Sequence, residues 1–217
     1  MQHLWIATQN PKKKAELLRL LEPLGVQIHT LAERPGIDWV EDAEDFAGNA
    51  EIKAFALARS FGPDEDDHWA LGDDSGLAVD ALGGRPGVRS ARYAGPDATD
   101  EDRVEKLLDE LATLGAGEPG ETDRGARFVC HLSLAGVDGE TGEPRSLWTT
   151  ERTCEGEILP SPRGEGGFGY DPVFLPCESD GPSETRSFAE LTPSEKDAIS
   201  HRGRALRDLV HHIQNAR

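Results

Sequence analysis

Short apolar segments with the pattern of β-strands alternate along this chain with longer segments that have the pattern of helices. Residues 3–7 form the first apolar segment, and the leucines of 12–24 recur at helical spacing until Gly25 ends the pattern. Residues 26–30 have the pattern of a second strand, and 46–61 that of a second helix. Strands and helices in this order pack as layers, so the sequence predicts an α/β protein.

The second half of the chain adds a hairpin to this pattern. Residues 127–137 and 145–158 alternate between apolar and polar side chains and are joined by a segment rich in Gly and acids, which predicts a long antiparallel hairpin and therefore a mixed sheet. Residues 69–82 hold two apolar runs around Asp73–Gly76, which predicts a polar turn between two buried strands. Two further amphipathic segments predict helices, at 100–114 and at 193–213. Two segments rich in Gly, Pro, Ser and acids predict exposed loops, at 115–124 and at 177–186.

The composition fits a folded globular chain. Of the 217 residues, 36% are hydrophobic and 29% are charged, which leaves enough apolar surface for a core. We therefore expect a single domain over residues 1–217, although two lobes around one sheet would also fit this length. No apolar run approaches the roughly 20 residues that cross a bilayer, so we expect neither a membrane span nor a cleaved signal.

The charge balance and the cysteine spacing exclude further classes of protein. Acidic residues outnumber basic ones by 41 to 23, and the net charge is −18. Such a surface repels a phosphate backbone, so we expect no nucleic-acid partner, although a salt-adapted host would also explain the acidic surface. Cys130, Cys154 and Cys177 are odd in number and widely spaced, which argues against a disulfide framework or a zinc ribbon. They indicate reduced thiols in a cytoplasm.

A candidate anion-binding segment, Thr8–Lys13, follows the first predicted strand. Asn10 suits a helix N-cap and Pro11 suits the first turn, so backbone N–H groups and the helix dipole would meet an anion there. Lys13 adds a positive charge and Thr8 adds a hydroxyl. The segment lacks the glycines of a Walker A loop. An ordinary capped helix with a solvated lysine face is the alternative interpretation.

Acidic side chains are candidates for metal binding and catalysis at two places. Asp73 and Asp74 follow an apolar run, where two adjacent acids are costly unless a metal or hydrogen bonds pair them. One carboxylate would hold Mg²⁺ while the same group or its neighbour activates water. Glu41 precedes a predicted helix in which Asn49 and Lys53 share a face, so Lys53 would face phosphates beside a metal held by carboxylates. The alternatives are an acidic turn and a solvated surface acid.

A glycine-rich segment, 164–172, and a basic group near the C terminus are candidates for base recognition. Glycines allow close backbone approach, an aromatic face stacks on a base, and a carboxylate accepts protons from a base or ribose. Lys196 and the Ser-His-Arg-Gly segment 200–203 offer donors for purine oxygens or phosphates. The alternatives are a tight turn whose aromatics enter the core, and helix-surface salt bridges. No Ser-His-Asp or Cys-His arrangement has a supporting local context.

Taken together, these segments resemble the noncanonical purine NTP pyrophosphatase family of Ham1-like proteins, which includes inosine triphosphatase and bacterial dITP/XTP pyrophosphatases. The matching segments occur in family order over nearly the whole chain. They are Thr8-x-Asn10-x-x-Lys13, Asn49-Ala50-x-x-Lys53, Asp73-Asp74-Ser75-Gly76-Leu77-x-Val79-Asp80, Gly166-Gly167-Phe168-Gly169-Tyr170-Asp171-Pro172 and Ser200-His201-Arg202.

The resemblance implies an elongated, two-lobed α/β fold around a twisted mixed sheet, with a substrate cleft between the lobes. It also implies a homodimer, Mg²⁺ as cofactor, and hydrolysis of dITP, ITP, XTP and dXTP to monophosphate and pyrophosphate, which cleanses the nucleotide pool. By position, Asp74, Lys13 and Lys53 would be catalytic, and Glu41 and Asp74 would hold the metal. The substrate would be bound by Thr8, Gln9, Asn10, Pro11, Lys12, Lys13, Ser75, Phe168, Gly169, Tyr170, Asp171, Lys196, His201 and Arg202.

The sequence departs from the family pattern near the proposed metal site. Many relatives have Glu immediately before the Asn-Ala pair, whereas this chain has Gly48, and the usual glycine two residues after Glu41 is replaced by Ala43. Glu44 and Asp45 are therefore rivals to Glu41 as ligands. Residues 64–67 look like an acidic loop extension to which the resemblance assigns no role.

Two other functions compete with this interpretation. A related pyrophosphatase for modified pyrimidine nucleotides would share the sheet and the phosphate chemistry, but the His201-Arg202 pair and the Phe168 segment favour a purine. A sensor that grips a triphosphate without hydrolysing it belongs to a different class of protein. The retention of Asp74 and of the lysines argues against a sensor.

Overall fold

The structure is a computed structural model, and it describes residues 2–62, 64, 65, 67–115, 123–177 and 185–215. Within these ranges the strands are β1 (His3–Ala7), β2 (Gln27–Thr30), β3 (His68–Val79), β4 (Gly125–Val137), β5 (Pro144–Ile158) and β6 (Phe174–Pro176). The α-helices are α1 (Pro11–Leu21), α2 (Phe46–Ala58), α3 (Asp100–Leu114), α4 (Pro193–Ile199) and α5 (His201–Asn215). Most of the two loops predicted at 115–124 and 177–186 lies outside the described residues.

The six strands form one mixed sheet in the order β2-β1-β3-β4-β5-β6. β1 runs parallel to both β2 and β3, and β5 runs antiparallel to β6. β4 and β5 form the predicted hairpin: the N–H of Asp138 donates to the carbonyl of Glu143 at 2.8 Å, and the N–H of Ile158 donates to the carbonyl of Arg124 at 2.9 Å. Hydrogen bonds at both ends of the pair require antiparallel strands. The predicted mixed α/β class is therefore confirmed.

The chain divides into two compact units, and three strands contribute residues to both. The first unit contains Met1–Asp74, Cys130–Arg152 and Ala205–Arg217, and the second contains Ser75–Val129 and Thr153–Arg204. The single-domain organisation stays a prediction. None of the helices in the described ranges combines the length and the apolar character needed to cross a membrane.

In the first unit the sheet buries a different core on each face, because successive side chains of a strand point in opposite directions. Leu4 and Ile6 of β1 and Leu71 of β3 pack with leucines of α1 and α5. Trp5 of β1 and Ala70 of β3 pack with Ala54, Leu57 and Ala58 of α2. The helices α1 and α5 thus cover one face, and α2 covers the other.

The second unit has its own aromatic core. Phe128 of β4 packs edge-on against Phe174 of β6, with ring centroids 4.7 Å apart, and stacks on Phe188 at 5.8 Å. The apolar side of α3 packs into the same cluster through Val104, Leu107 and Leu111. This core packs on the C-terminal ends of β3 and β5 and on the first residues of β4.

The polar turn predicted at Asp73–Gly76 is wrong, because β3 continues without interruption from His68 to Val79. Polar residues usually interrupt a buried strand, since a buried carboxylate is costly without a partner. Here Asp73 and Asp74 are buried at 2% and 4% relative exposure and are paired with lysines from two helices. Tertiary pairing therefore keeps the strand continuous where local sequence indicates a turn.

The single C-terminal helix predicted over 193–213 is also wrong, because Ser200 divides it into α4 and α5. Ser200 has extended backbone angles, and its hydroxyl oxygen accepts a hydrogen bond from the N–H of Gly203 at 3.1 Å. A Cβ at Gly203 would overlap the carbonyl oxygen of Asp197, so the two helices meet too closely for a larger residue. The break places His201 and Arg202 in the first turn of α5.

Gly72 allows α2 to approach β3 closely enough for Lys53 to reach the strand. A Cβ at Gly72 would overlap the carbonyl oxygen of Ala50 and would lie 2.9 Å from the backbone nitrogen of Ala54. Both neighbouring atoms belong to the backbone of α2, so they cannot rotate away as the end of a side chain can.

We predict that Gly72→Ala lowers the free energy of unfolding by about 3 kcal/mol or more, because overpacking against backbone forces helix and strand apart. Urea denaturation of the variant and the wild type measures the difference. Gly139→Ala is the matched control, since a Cβ at Gly139 meets nothing within 4 Å. Equal stability of the two variants would contradict the close packing of α2 on β3.

Candidate active site

The segment between β1 and α1 is fixed by side-chain hydrogen bonds to its own backbone. Asn10 is the N-cap of α1, and its side-chain oxygen accepts from the N–H groups of Lys12 at 2.9 Å and Lys13 at 3.2 Å. The hydroxyl oxygen of Thr8 accepts from the N–H of Asn10 at 3.2 Å. The sequence predicted that these N–H groups would bind an anion, but in the structure they already donate to the side chains of Asn10 and Thr8. The exposed side chain of Lys12 and the partly buried one of Lys13 remain as the positive charges of this segment.

Asp73 and Asp74 lie on opposite faces of β3 and are held by different helices. The ammonium group of Lys13, from α1, lies 2.8 Å from Oδ1 of Asp73. The ammonium group of Lys53, from α2, lies 2.7 Å from Oδ1 of Asp74 and donates to the backbone carbonyl of Asp73 at 3.2 Å. The thiol of Cys130 lies 3.7 Å from Oδ2 of Asp73. The two predicted catalytic lysines thus converge on consecutive residues of one strand.

Glu41 joins this group, while its two rivals do not. Its Oε1 lies 3.1 Å from the ammonium group of Lys53. Asp45 is the N-cap of α2 and accepts from the N–H of Gly48 at 2.7 Å, so its carboxylate already has a structural role. Glu44 is exposed. The geometry therefore favours Glu41 among the three acids that the sequence left open.

Asn49 positions the segment that carries Glu41. Its side-chain oxygen accepts from the N–H of Ala43 at 3.1 Å, and its side-chain nitrogen donates to the carbonyl of Ala43 at 3.4 Å. Asn49 is fully buried and lies one helical turn before Lys53. Asn49 and Lys53 lie on the same face of α2, where Asn49 holds the backbone next to Glu41 and Lys53 pairs with the Glu41 carboxylate.

Burial and charge act in opposite directions on Asp74 and Lys53. Burial raises the pKa of the Asp74 carboxyl above its ordinary value, and the ammonium groups of Lys53 and Lys13 offset this only in part. Burial would lower the pKa of Lys53, but the carboxylates of Asp74 and Glu41 outweigh it and hold that pKa above its ordinary value. Lys53 therefore stays positively charged at neutral pH, while Asp74 is a stronger base than a solvated aspartate.

One oxygen of Asp74 is available for chemistry. Oδ1 is bound by Lys53, but among the residues that the structure describes no donor reaches the buried Oδ2. A buried carboxylate oxygen without a donor is costly unless a cation or a water molecule occupies its other side. Asp74 and Glu41 are hard oxygen donors, and Mg²⁺ prefers one or two carboxylates together with water and phosphate oxygens. These residues therefore fit a magnesium ion.

The second unit contains the predicted base-binding residues, beginning with the glycine-rich segment. Gly167 and Gly169 have positive φ angles of 70° and 62°, and a Cβ at Gly167 would overlap the carboxylate of Asp171. The N–H of Phe168 donates to Oδ2 of Asp171 at 2.8 Å. The glycines therefore let the chain curl around the Asp171 carboxylate and present the half-buried ring of Phe168.

Asp171 and Lys196 form a buried ion pair beneath Phe168. The ammonium group of Lys196 lies 2.7 Å from Oδ2 of Asp171 and 4.9 Å from the centre of the Phe168 ring. Both charged residues are at least 95% buried. A cation over an aromatic face stabilises the orientation of the ring. Asp171 and Lys196 thus hold Phe168 in place, in addition to any contact with substrate.

In the second unit Arg202 contacts Ser75, and the neighbouring His201 packs on Phe128. The guanidinium of Arg202 donates to the hydroxyl of Ser75 at 2.7 Å and lies 5.9 Å from the centre of the Phe168 ring. The ring of His201 stacks on Phe128, with centroids 4.7 Å apart and planes 8° from parallel. Arg202 is 98% buried, which places its charge inside the unit rather than on a helix surface. The surface salt bridges considered for this segment are therefore wrong for Arg202.

The structure separates the predicted site residues into two groups and adds residues that sequence reasoning did not select. The first unit gathers Lys13, Lys53, Asp74 and Glu41, and the second gathers Ser75, Phe168, Asp171, Lys196, His201 and Arg202. Asp74 and Ser75 are consecutive in β3. Tyr170 packs in the core, where its hydroxyl donates to the carbonyl of Ser90 at 3.1 Å, which argues against direct contact with a ligand. Asn49 was not proposed as a site residue, and Asp73 was considered beside Asp74 without being assigned a role, because no local signal shows that Lys13 pairs with it.

Comparisons with known proteins identify the family of this chain. A model of the Ham1 family matches residues 4–212. The chain is 47% identical over 210 residues to a dITP/XTP pyrophosphatase of Gloeobacter violaceus, covering 97% of this chain and 93% of the relative. It is 44% identical to a dITP/XTP pyrophosphatase of Thermosynechococcus vestitus, covering 96% and 94%. A solved structure of a HAM1 protein from Coxiella burnetii superposes with a TM-score of 0.80 at 38% identity, covering 99% of this chain and all of that one.

The family model matches nearly the whole chain, and the two dITP/XTP pyrophosphatases are more than 40% identical to it over nearly its full length. The chain belongs to the Ham1 family.

Proposed function

We propose that this protein is a Mg²⁺-dependent pyrophosphatase that hydrolyses dITP, ITP, XTP and dXTP to the monophosphate and pyrophosphate, and so keeps these nucleotides out of DNA and RNA. The dITP/XTP pyrophosphatases among its relatives support this activity. The observation that carries the proposal is the Asp74 carboxylate, which is buried and held at Oδ1 by Lys53, while no donor from the described part of the chain reaches its Oδ2.

Asp74 is the general base of the proposed reaction. Its Oδ2 accepts a proton from a water molecule, and the raised pKa of the buried carboxyl makes it a better proton acceptor than a solvated aspartate. The water oxygen forms a bond to the α-phosphorus, and the bond from that phosphorus to the bridging oxygen of pyrophosphate breaks. Lys53 holds Oδ1 at 2.7 Å and thereby orients Oδ2.

The positive charges of the first unit receive the triphosphate. Lys13 and Lys53 are held at Asp73 and Asp74, where they oppose the phosphate charge that would otherwise be repelled by a protein of net charge −18. Asp74 and Glu41 would hold Mg²⁺, which when bound would neutralise phosphate charge and favour departure of pyrophosphate. Because these side chains are already held in place by ion pairs, less conformational entropy is lost in ordering them when substrate binds.

The second unit supplies the residues for the purine. Phe168 offers an aromatic face, and Lys196 and Arg202 lie near it as sources of hydrogen-bond donors, with His201 next to Arg202 in the first turn of α5. A donor directed at the 6-oxo group of hypoxanthine or xanthine would face the 6-amino group of adenine without a partner, and such a mismatch is strongly rejected in a buried site. This difference is the basis of the proposed selectivity against ATP.

The proposal extends to a cytoplasmic homodimer. Cys130, Cys154 and Cys177 form no disulfide among the described residues, which fits a reducing compartment. Light scattering on the purified protein, with an expected mass of twice 23.5 kDa, tests the homodimer.

We predict that pyrophosphate release is rapid from ITP, XTP and dITP with Mg²⁺, stops with EDTA, and is about 100-fold slower or more from ATP. The assay compares ITP, XTP, dITP, GTP, ATP and dUTP, each with Mg²⁺ and with EDTA. Release from dUTP but not from purines would favour the pyrimidine alternative. Binding of ITP without release of pyrophosphate would favour the sensor.

We predict that Asp74→Asn lowers kcat at least about 100-fold, because an amide cannot accept the proton from water. The amide oxygen can still accept from Lys53, so the variant should fold and bind ITP with little loss of affinity. Steady-state kinetics and calorimetric ITP binding measure the two effects. Asp109→Asn, an exposed residue of α3, is the matched control, and a near-normal kcat in Asp74→Asn would refute the assigned base.

A further inference from the structure

Three histidines lie together on the neighbouring strands β1, β2 and β3, away from the proposed catalytic residues. His3 of β1 is paired in register with His68 of β3, and their rings lie 4.4 Å apart. His29 of β2 stacks on Trp5 at 4.3 Å and on His3 at 5.2 Å. Thr8, at the other end of β1, lies five residues further along the chain, or about 16 Å at the rise of a strand.

Two of these histidines and an aspartate have the arrangement of metal ligands. One possible ligand atom from each of His3, Asp67 and His68 lies within 4.8 Å of the other two. The Nε2 atom of His68 lies 3.8 Å from Oδ1 of Asp67. Ligand atoms that each lie about 2 Å from a zinc ion are at most about 4 Å apart, so side-chain shifts below about 1 Å complete the set.

A chain of hydrogen bonds fixes the protonation of His3. Nδ1 of His29 lies 2.8 Å from the carboxylate of Glu33, which can only accept, so this nitrogen carries the proton. In the neutral ring Nε2 of His29 is then an acceptor, and it lies 2.9 Å from Nδ1 of His3. His3 therefore donates from Nδ1, and its Nε2 keeps the lone pair that a metal requires.

A second carboxylate controls His68 in the same way. Oε1 of Glu65 lies 3.1 Å from Nδ1 of His68, and the indole N–H of Trp5 approaches the same nitrogen at 3.2 Å. One nitrogen cannot donate to Glu65 and accept from Trp5 at the same time. A metal on Nε2 requires the proton on Nδ1, which then donates to Glu65 and removes the acceptor of Trp5. Metal binding at His68 should therefore change the surroundings of Trp5.

Two further contacts hold the Glu65 carboxylate beside Nδ1 of His68. It accepts from the N–H of Gly62 at 2.6 Å and pairs with Arg34, which lies over the Trp5 ring at 4.4 Å. Histidine ligands of metals commonly donate their second N–H to a carboxylate, and this contact orients the ring. Both His3, through His29 and Glu33, and His68, through Glu65, have that support here.

We propose that His3, Asp67 and His68 bind a divalent transition metal such as Zn²⁺, Ni²⁺ or Co²⁺ at a site separate from the catalytic residues. Two imidazole nitrogens and one carboxylate suit these ions, whereas Mg²⁺ and Ca²⁺ prefer oxygen ligands. Asp67 belongs to the acidic extension 64–67 that the family resemblance left without a role, and this site assigns one to it. The proposal does not depend on the proposed activity.

The first test is a titration of the untagged, full-length protein after removal of metal with a chelator and dialysis. Zn²⁺ is added in the presence of excess Mg²⁺, so that oxygen-rich sites are already filled, and binding is followed by calorimetry and by tryptophan fluorescence. We expect saturation at one Zn²⁺ per chain, with a fluorescence change that follows the same curve. The absence of saturable binding would overturn the proposal.

Variants then assign the site. We expect Asp67→Asn and His3→Gln to weaken Zn²⁺ binding at least about tenfold, because each removes a ligand. The side chain of Asp67 is 41% exposed, so its substitution tests the site without disturbing a core. His131→Gln and Asp109→Asn are the matched controls outside the cluster. Equal affinity in wild type, Asp67→Asn and His3→Gln would refute this ligand set.

Glu33→Gln tests the hydrogen-bond chain that ends at His3. Oε1 of Glu33 accepts from the N–H of Thr30 at 2.9 Å in a capping box, and glutamine preserves that contact. The atom that replaces Oε2 is then the amide nitrogen, which donates to Nδ1 of His29 and moves the proton of that ring to Nε2, so Nδ1 of His3 becomes the acceptor and Nε2 of His3 loses its lone pair. We expect Zn²⁺ affinity to fall about tenfold while the free energy of unfolding without metal changes little. Unchanged affinity would show that His3 does not bind metal through this chain.

Discussion

The alternation of side chains along β3 is the constraint on which the pairing of Asp73 and Asp74 with two lysines depends. It directs Asp73 to the face covered by α1 and Asp74 to the face covered by α2, so each buried carboxylate needs a cation from a different helix. Lys13 of α1 and Lys53 of α2 meet that need, and β3 continues without interruption through both carboxylates. Gly72 permits the approach, because any side chain there would overlap the backbone of α2.

This arrangement favours reactivity at some expense of stability. Burial raises the pKa of the Asp74 carboxyl, which means that keeping it ionised in the folded protein costs free energy at neutral pH. Lys53 offsets part of this cost, and it is in turn kept protonated by Asp74 and Glu41. Groups whose pKa is shifted by burial together with a specific charge partner are often found at functional sites, and Asp74 and Lys53 are such groups. In the second unit, by contrast, both groups of the buried Asp171–Lys196 pair are matched, and the pair serves to hold Phe168.

The sequence predicted most elements because their signals are local. Apolar alternation identified the β4–β5 hairpin, and Asn10 with Pro11 identified the start of α1. The two errors arose where distant residues decide the outcome. Nothing near Asp73 in sequence shows that Lys13 will pair with it, so a buried charged strand looks like a turn. Nothing before Ser200 shows that α4 and α5 cross tightly at Gly203, so the helical pattern looks continuous.

The two departures from the family pattern near the proposed metal site are explained by one contact. A Cβ at Gly48 would lie 2.6 Å from the Cβ of Ala43, so the methyl group at 43 occupies the space from which a side chain at 48 would extend. Ala43 cannot yield, because both its backbone groups are bonded to the buried Asn49. An alanine at 43 therefore requires a glycine at 48, and the acid that many relatives carry there has no place in this chain. The carboxylate oxygens left beside Lys53 are those of Glu41 and Asp74, and they are sufficient for an ion that takes its remaining ligands from water and phosphate.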